Sequence, residues 1–265
     1  RYTNGNFTGI RIMGVFQNNL LAGAAAAASA GGGGFYSHQI EQSCRFDRAS
    51  SSYLYYSVPS GSSSSANWTA SMWIKRGQLG IGDPTLLGNS AGNMRVKIDS
   101  SDNLIAQNQT TFTSSFVLRD TSGWTNLVMN SQDANNFLVY INGVNQTANL
   151  TKSSVASHVS FFYPSTNAYV GTDTGGDSKY FDGFLAEVHL VYGLNKAASD
   201  FGETKNGVWV PKEYTGGHGT YGSYLKFENA SDLGNDSSGN NNDWTVGGMG
   251  ADHQSIDTPT TGAGG

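Results

Sequence analysis

Apolar and polar positions alternate along most of the middle of the chain. In WTASMWIKRG, residues 68–77, Trp68, Ala70, Met72 and Ile74 face one way and Thr69, Ser71, Trp73 and Lys75 the other, so both faces carry some apolar surface. FLAEVHLVY, residues 184–192, alternates from end to end. It puts Phe184, Ala186, Val188, Leu190 and Tyr192 on one face and Leu185, Glu187, His189 and Val191 on the other. SYLYYSVP, residues 52–59, is an aromatic and β-branched run that fits a pleated surface. MRVKID (94–99) and NLIAQ (103–107) predict one hairpin, and WTNLVMN (124–130) with NFLVYING (136–143) a second. Asn142-Gly143 is a turn dipeptide. AYVG (168–171) and SYLKFEN (223–229) add short strands, and residues 195–201 fit one helical turn. Short strands punctuated by turn residues predict an all-β chain, folded as a two-sheet antiparallel β-sandwich.

Composition supports the same class. Only 13% of the 265 residues are charged, against about 25% in an average chain. Gly, Ser, Thr and Asn fill the gap, and they suit tight turns because they satisfy backbone hydrogen bonds locally. The net charge of −5 and the lack of a basic stripe argue against nucleic-acid binding. No apolar run approaches the roughly 20 residues that span a bilayer, so no membrane insertion is expected. The one cysteine, Cys44, permits no internal disulfide and reads as a strand residue beside the core.

Residues 1–34 differ from the rest. LLAGAAAAASAGGGG reads as an alanine-rich helix and glycine hinge, a tether, in preference to a signal peptide. Three units result: the tether at 1–34, the sandwich at 35–230 and an Asn/Gly-rich C-terminal extension at 231–265. The terminal Arg1 and the closing GAGG suggest either a fragment of a longer chain or a reading frame translated beyond its start, with Met13 as the start.

Three stretches carry a family resemblance. RFDRASSSYLYYSVPS with NWTASMWIK, WTNLVMNSQDANNFLVYINGV, and YFDGFLAEVHLVYGLNKAASDF are similar, in order, to the opening, central hairpin and closing element of laminin-G-like, concanavalin A-like jelly-roll domains. The wider layout, from GVFQNNLLAGAAAAASAGGGGFYSHQIEQS to YLKFENASDLGNDSSGNNNDW, resembles virion structural proteins of marine bacterial viruses. These resemblances imply a jelly roll on a virion or tail fibre, or alternatively a secreted protein. The implied partners are a glycan or host cell surface, neighbouring virion proteins and further copies of the chain in a homo-oligomer.

The laminin-G resemblance also implies an optional calcium site of hard oxygen ligands. Two loops qualify: one with Asp173, Asp177 and Asp182, the other with Asp232, Asp236, Asn240 and Asp243. The second also reads as a series of Asx turns that only close a loop. GNSAG (88–92) matches the nucleophile-elbow pattern, but a strand follows Ser90 where the elbow needs a helix. A retaining glycan hydrolase needs two carboxylates about 5.5 Å apart on one face. The strand 184–192 offers only Glu187, with His189 where a second acid would stand. That pair reads as an exposed or lightly paired polar face, and the five histidines show no zinc-ligand spacing. The expected function is therefore non-enzymatic binding of carbohydrate or a host surface, with a purely structural assembly protein as the alternative and a hydrolase less favoured.

Overall fold

The computed structural model describes residues 35–62, 67–92, 94–108, 110–132, 136–153, 161–174 and 179–261. The tether at 1–34 lies outside them. In chain order the strands are β1 (Ser43–Phe46), β2 (Tyr53–Ser57), β3 (Trp68–Arg76), β4 (Thr85–Asn89), β5 (Met94–Ile98), β6 (Asn103–Asn108), β7 (Thr110–Val117), β8 (Thr125–Ser131) and β9 (Phe137–Ile141). They continue as β10 (Val144–Asn145), β11 (Leu150–Ser153), β12 (Asn167–Val170), β13 (Gly183–Tyr192), β14 (Gly202–Lys205), β15 (Val208–Pro211), β16 (Ser223–Leu225), β17 (Thr245–Gly247) and β18 (Gln254–Ser255). Sheet I runs β10-β9-β8-β3-β13-β1-β18, with β16 also on β13. Sheet II runs β11-β7-β6-β5-β4-β12-β2-β17, and β14-β15 form a separate hairpin. All strand pairs are antiparallel. The expected two-sheet sandwich is the observed one, and no helix among the described residues is long and apolar enough to cross a membrane.

Both expected hairpins form, β5-β6 and β8-β9. Asn142 and Gly143 turn β9 into β10 with φ of 47° and 76°. This is the pair of positive values that a two-residue hairpin needs to match strand twist. A single core lies between the sheets, with Trp68, Met72 and Ile74 of β3 and Leu127 and Met129 of β8 facing Leu54, Val96 and Val170. Cys44 is in this core.

β13 departs from the expected alternation. Ala186 pairs with Trp73 and His189 with Ser71, so Glu187 and Val188 together stand opposite Met72. This β-bulge puts two residues against one and reverses the parity of the strand. Leu185 faces the core before it, and Val188 and Leu190 after it. Ala186 and Val191 fall on the outer side, so Val188 and Ala186 do not share a face as strict alternation implied. The bulge residue, Glu187, has φ of 49°.

The stretch 231–261 is woven into the sandwich. β17 pairs with β2 and β18 with β1, and Leu233 and Trp244 belong to the main core. Thr260 bonds the backbone of Ile40 in both directions, which brings the two ends of the described chain side by side. Trp244 packs on Tyr56 and donates to Ser223 Oγ. Replacing it tests this integration: Trp244→Ala should lower unfolding free energy by about 3–5 kcal/mol in urea titration, as expected of a large aromatic in a core. A loss below about 1 kcal/mol would mark residues 231–261 as an appendage.

Candidate functional site

The two outer faces of the sandwich differ. On sheet I the central strands β3, β8 and β13 are buried almost throughout, on both sides. Their outer face lies under a third layer. Phe201, Tyr214 and Trp209 pack on Val128 and Val191, and Ile40 packs on Trp73 and Ala186. Trp209 Nε1 donates to Asn126 Oδ1 on β8 at 3.0 Å. On sheet II, β5 and β7 instead alternate buried and half-exposed residues, the pattern of a sheet with one solvated face.

Under the third layer sits a polar knot. Glu187 Oε1 accepts from Tyr224 Oη at 2.5 Å, and its Oε2 lies 3.3 Å from His189 Nε2 and 3.1 Å from His38 Nε2. His189 Nδ1 meets His218 Nε2 at 3.1 Å. The His189 ring stacks on Tyr224, with centroids 4.0 Å apart, and touches Phe201 and Tyr214. Glu187 and His189 are 6% and 3% exposed, so the expectation of an exposed polar face fails there. His38, His189 and Tyr224 close on the Glu187 carboxylate, and His218 backs His189. Burial opposes ionisation of Glu187, but His189 and His38 outweigh it and hold the carboxyl well below its usual range. Contact with that carboxylate raises His38, against the opposing effect of burial. Burial first, and His189 second, push His218 down to about 4. Burial, then Glu187, raises the Tyr224 hydroxyl. Every member of the knot contacts another member, and the rings of Phe201, Tyr214 and Tyr224 pack around His189, so the knot ties the third layer to sheet I.

The solvated face of sheet II carries a different arrangement. Cross-strand register sets one row over it: Thr245, Tyr55, Tyr169, Gly88, Arg95, Gln107, Thr111 and Ser153. Tyr53, Tyr55, Tyr169 and Tyr180 form a cluster at one end, with ring centroids 6.0–6.3 Å apart. Tyr53 and Tyr55 are half-buried, so their rings meet solvent, whereas Tyr169 and Tyr180 are buried beneath. Asn167 and Ser57 flank the rings and bond each other at 3.0 Å. Next to Tyr169 the row is interrupted. A side chain at Gly88 would collide with Asp173 Cα, so the segment after β12 rests directly on the sheet there. Asp173 is fully buried, and Arg95 Nη1 and Lys179 Nζ reach its Oδ2 at 3.0 and 3.6 Å. Lys97 pairs with Asp83 at 2.9 Å further along β5.

The residues singled out for calcium are placed as follows. Asp173 faces the two cations just named. Asp182 accepts from the Arg48 backbone N–H, and Asp177 lies outside the described residues. In the other loop Asp236 takes four donors: the backbone N–H groups of Tyr224, Ser238 and Asn242 and the Ser238 hydroxyl. Asp243 accepts from Asp236 N–H, Asn240 donates to the carbonyls of Gly219 and Gly222, and Asp232 is exposed. Those bonds use the acceptor capacity of Asp236 and close the loop as Asx turns do. Among the described residues no group of three or more His, Cys, Asp or Glu could hold a metal ion. Ser90 lies in the turn after β4, and its Oγ accepts from Asn167 N–H.

Two stacked antiparallel sheets, one covered and one open, define a jelly-roll β-sandwich. The family model described as the concanavalin A-like lectin/glucanases superfamily, of laminin-G type, matches residues 50–197. The chain belongs to that superfamily. Among solved structures it is similar to a Bacteroides ovatus protein described as a candidate carbohydrate binder, at 14% identity and TM-score 0.52 over 79% of this chain and 58% of that one. It is also similar to domain 4 of an extracellular arabinanase of Geobacillus stearothermophilus in complex with arabinotriose (20%, TM-score 0.38, 50% and 63%). A third similar structure is the LG1-3 region of the laminin alpha2 chain (12%, TM-score 0.39, 57% and 31%). The chain therefore spans less than two thirds of each of these structures. No curated protein matches it.

The knot makes stability depend on pH with a definite sign. An unfolded His218 takes up a proton near its ordinary value of 6.5, while the folded one resists until about 4. Its share of stability is thus present above 6.5 and lost as pH falls through 4. Glu187, held low, adds a loss of the same sign at more acidic pH. His38 acts oppositely, its share being full below 6.5 and lost as pH rises past its raised value. Thermal melts between pH 7 and 4 should fall for the wild type and flatten for His218→Gln. An equal slope in both would show that His218 does not carry the effect.

Proposed function

We propose that the chain is a non-enzymatic carbohydrate-binding module whose ligand lies on the solvated face of sheet II, over Tyr53 and Tyr55. The observation that carries this reading is the placement of partly exposed tyrosine rings on the one solvated sheet face, bordered by amide and hydroxyl groups. Sugar rings present apolar C–H faces that pack on aromatic rings, and hydroxyls that exchange hydrogen bonds with amides, hydroxyls and charged groups. The outer face of sheet I is unsuited, because the third layer occupies it. Binding without turnover is favoured because Asp83 and Asp173, the carboxylates described on the solvated face, are each paired with cations. The likeness to a candidate carbohydrate binder agrees with this reading at the level of fold. A place on a virion fibre, with a host-surface glycan as partner, draws its support from the layout of the sequence.

A glycan microarray, followed by calorimetry on the strongest ligand, tests the proposal with and without calcium. Tyr55→Ala should weaken binding roughly five- to tenfold, the worth of one aromatic stacking contact, while leaving the melting temperature nearly unchanged. An array without hits, or a Tyr55→Ala protein that binds as the wild type does, would remove this face as the site.

A further inference from the structure

We infer that Asn206-Gly207, at the tip of the β14-β15 hairpin, is a site of covalent self-modification, where Asn206 loses its side-chain amide and becomes aspartate or isoaspartate. The inference is independent of the carbohydrate reading. An asparagine followed by glycine can react with its own backbone. The Gly207 nitrogen attacks Cγ of Asn206, the new nitrogen–Cγ bond forms, and the Cγ–Nδ2 bond breaks. Ammonia leaves with the proton given up by the Gly207 N–H. Water then opens the cyclic imide at one of its two carbonyls, which yields aspartate or isoaspartate. Glycine permits the approach most freely, because it has no side chain to shield its nitrogen.

The fold contains its own control. Among the described residues Asn-Gly occurs twice, and both pairs form the whole of a two-residue hairpin turn. Asn206 and Gly207 have φ of 51° and 82°, Asn142 and Gly143 φ of 47° and 76°. Both turns are thus of one kind, so backbone conformation favours neither, and the surroundings decide.

At Asn142 the reacting groups are held. Its Oδ1 accepts from the Asn126 backbone N–H at 2.8 Å, and its own N–H donates to Asn126 O at 2.9 Å. The Trp209 ring covers one side of Gly143, so closely that a Cβ there would fall 2.3 Å from Cζ3. Trp209 is fixed in turn by the bond from its Nε1 to Asn126 Oδ1. Cγ of Asn142 can turn onto the glycine nitrogen only after the bond to Asn126 breaks. At Asn206 no such restraint acts. Asn206 and Gly207 are exposed, and a Cβ at Gly207 would meet no atom within 4 Å. The hairpin ladder closes through Lys205 and Val208, and the Asn206 side chain has no bonded partner among the described residues.

The two turns are also coupled. The hairpin that carries Asn206 at its tip is the one that lays Trp209 on Gly143. Isoaspartate adds a methylene to the backbone of a turn between strands of only four residues each, and a two-residue turn of this kind tolerates no extra length without loss of register. Reaction at Asn206 therefore comes first, and it loosens the ring that protects Asn142.

The test incubates the full chain at mildly alkaline pH, in buffer and in concentrated urea, until the urea sample has largely converted at both sites. Peptide mapping by mass spectrometry, with fragmentation that separates isoaspartate from aspartate, follows Asn206 and Asn142 in each sample. In urea, where the surroundings are gone, the two should react at similar rates. In the folded protein Asn206 should convert about tenfold or more faster than Asn142, as one hydrogen bond and a covering ring at the slower site would give. Trp209→Ala should speed Asn142 about fivefold or more, and Trp209→Phe, which keeps a ring and loses only the Nε1 bond, should speed it less and serves if the alanine variant does not fold. An Asn206 that stays intact in the folded protein while the urea sample reacts would overturn the inference, as would equal conversion at the two sites. Trp209 variants whose Asn142 stays as slow as in the wild type would overturn the coupling.

Discussion

Glu187 is a carboxylate placed in the middle of the central strand of a sheet, buried, on a residue whose φ of 49° costs about 1–3 kcal/mol in a non-glycine residue. The cost is offset by what the bulge allows. Two residues fit against Met72, so Leu185 and Val188 both reach the core although they are three apart. The displaced carboxylate turns to the outer side and meets Tyr224, His189 and His38. Leaving such a charge unpaired would cost far more than the strain. The segments carrying residues 38, 218 and 224 are therefore obliged to converge on one point, and the third layer is anchored there.

That anchoring decides which face of the sandwich can work. A sheet covered by aromatic side chains, with Trp209 bonded into Asn126, offers a ligand no surface. On sheet II β5 and β7 keep their alternation, and the outward row across the sheet carries tyrosine, arginine, glutamine and threonine, with Ile105 the aliphatic exception on the row beside Lys97. A polar face of this kind has little to gain from an apolar protein partner, and much from a ligand that is itself polar with apolar ring faces.

The elements were legible in the sequence wherever a strand keeps one period and pairs locally. β5-β6, β8-β9 and the Asn142-Gly143 turn all fall where alternation and turn chemistry put them. β13 was legible as a strand but not in its facing, because a bulge leaves composition unchanged while reversing parity. The C-terminal stretch looked like an extension because Asn and Gly dominate it. The signal of its integration was the apolar pair Leu233 and Trp244, set among Asx turns that fold them inward. The Glu187 knot joins residues up to 186 positions apart, and histidines scattered along the chain carry no local sign of that. The tyrosine face was half visible: Tyr53 and Tyr55 share a face by alternation, but only sheet order brings Tyr169 beside them.

Energetics on an open sheet face limit what one module can do. A sugar stacked on one or two rings gains about 1–3 kcal/mol from the contact. From that gain must come the cost of ordering the ligand and of its lost translation and rotation. What remains corresponds to weak affinity for a single short glycan. Such a face becomes effective when the same sugar unit recurs along a polymer or a surface, since each further engagement becomes intramolecular and multiplies affinity without new contacts.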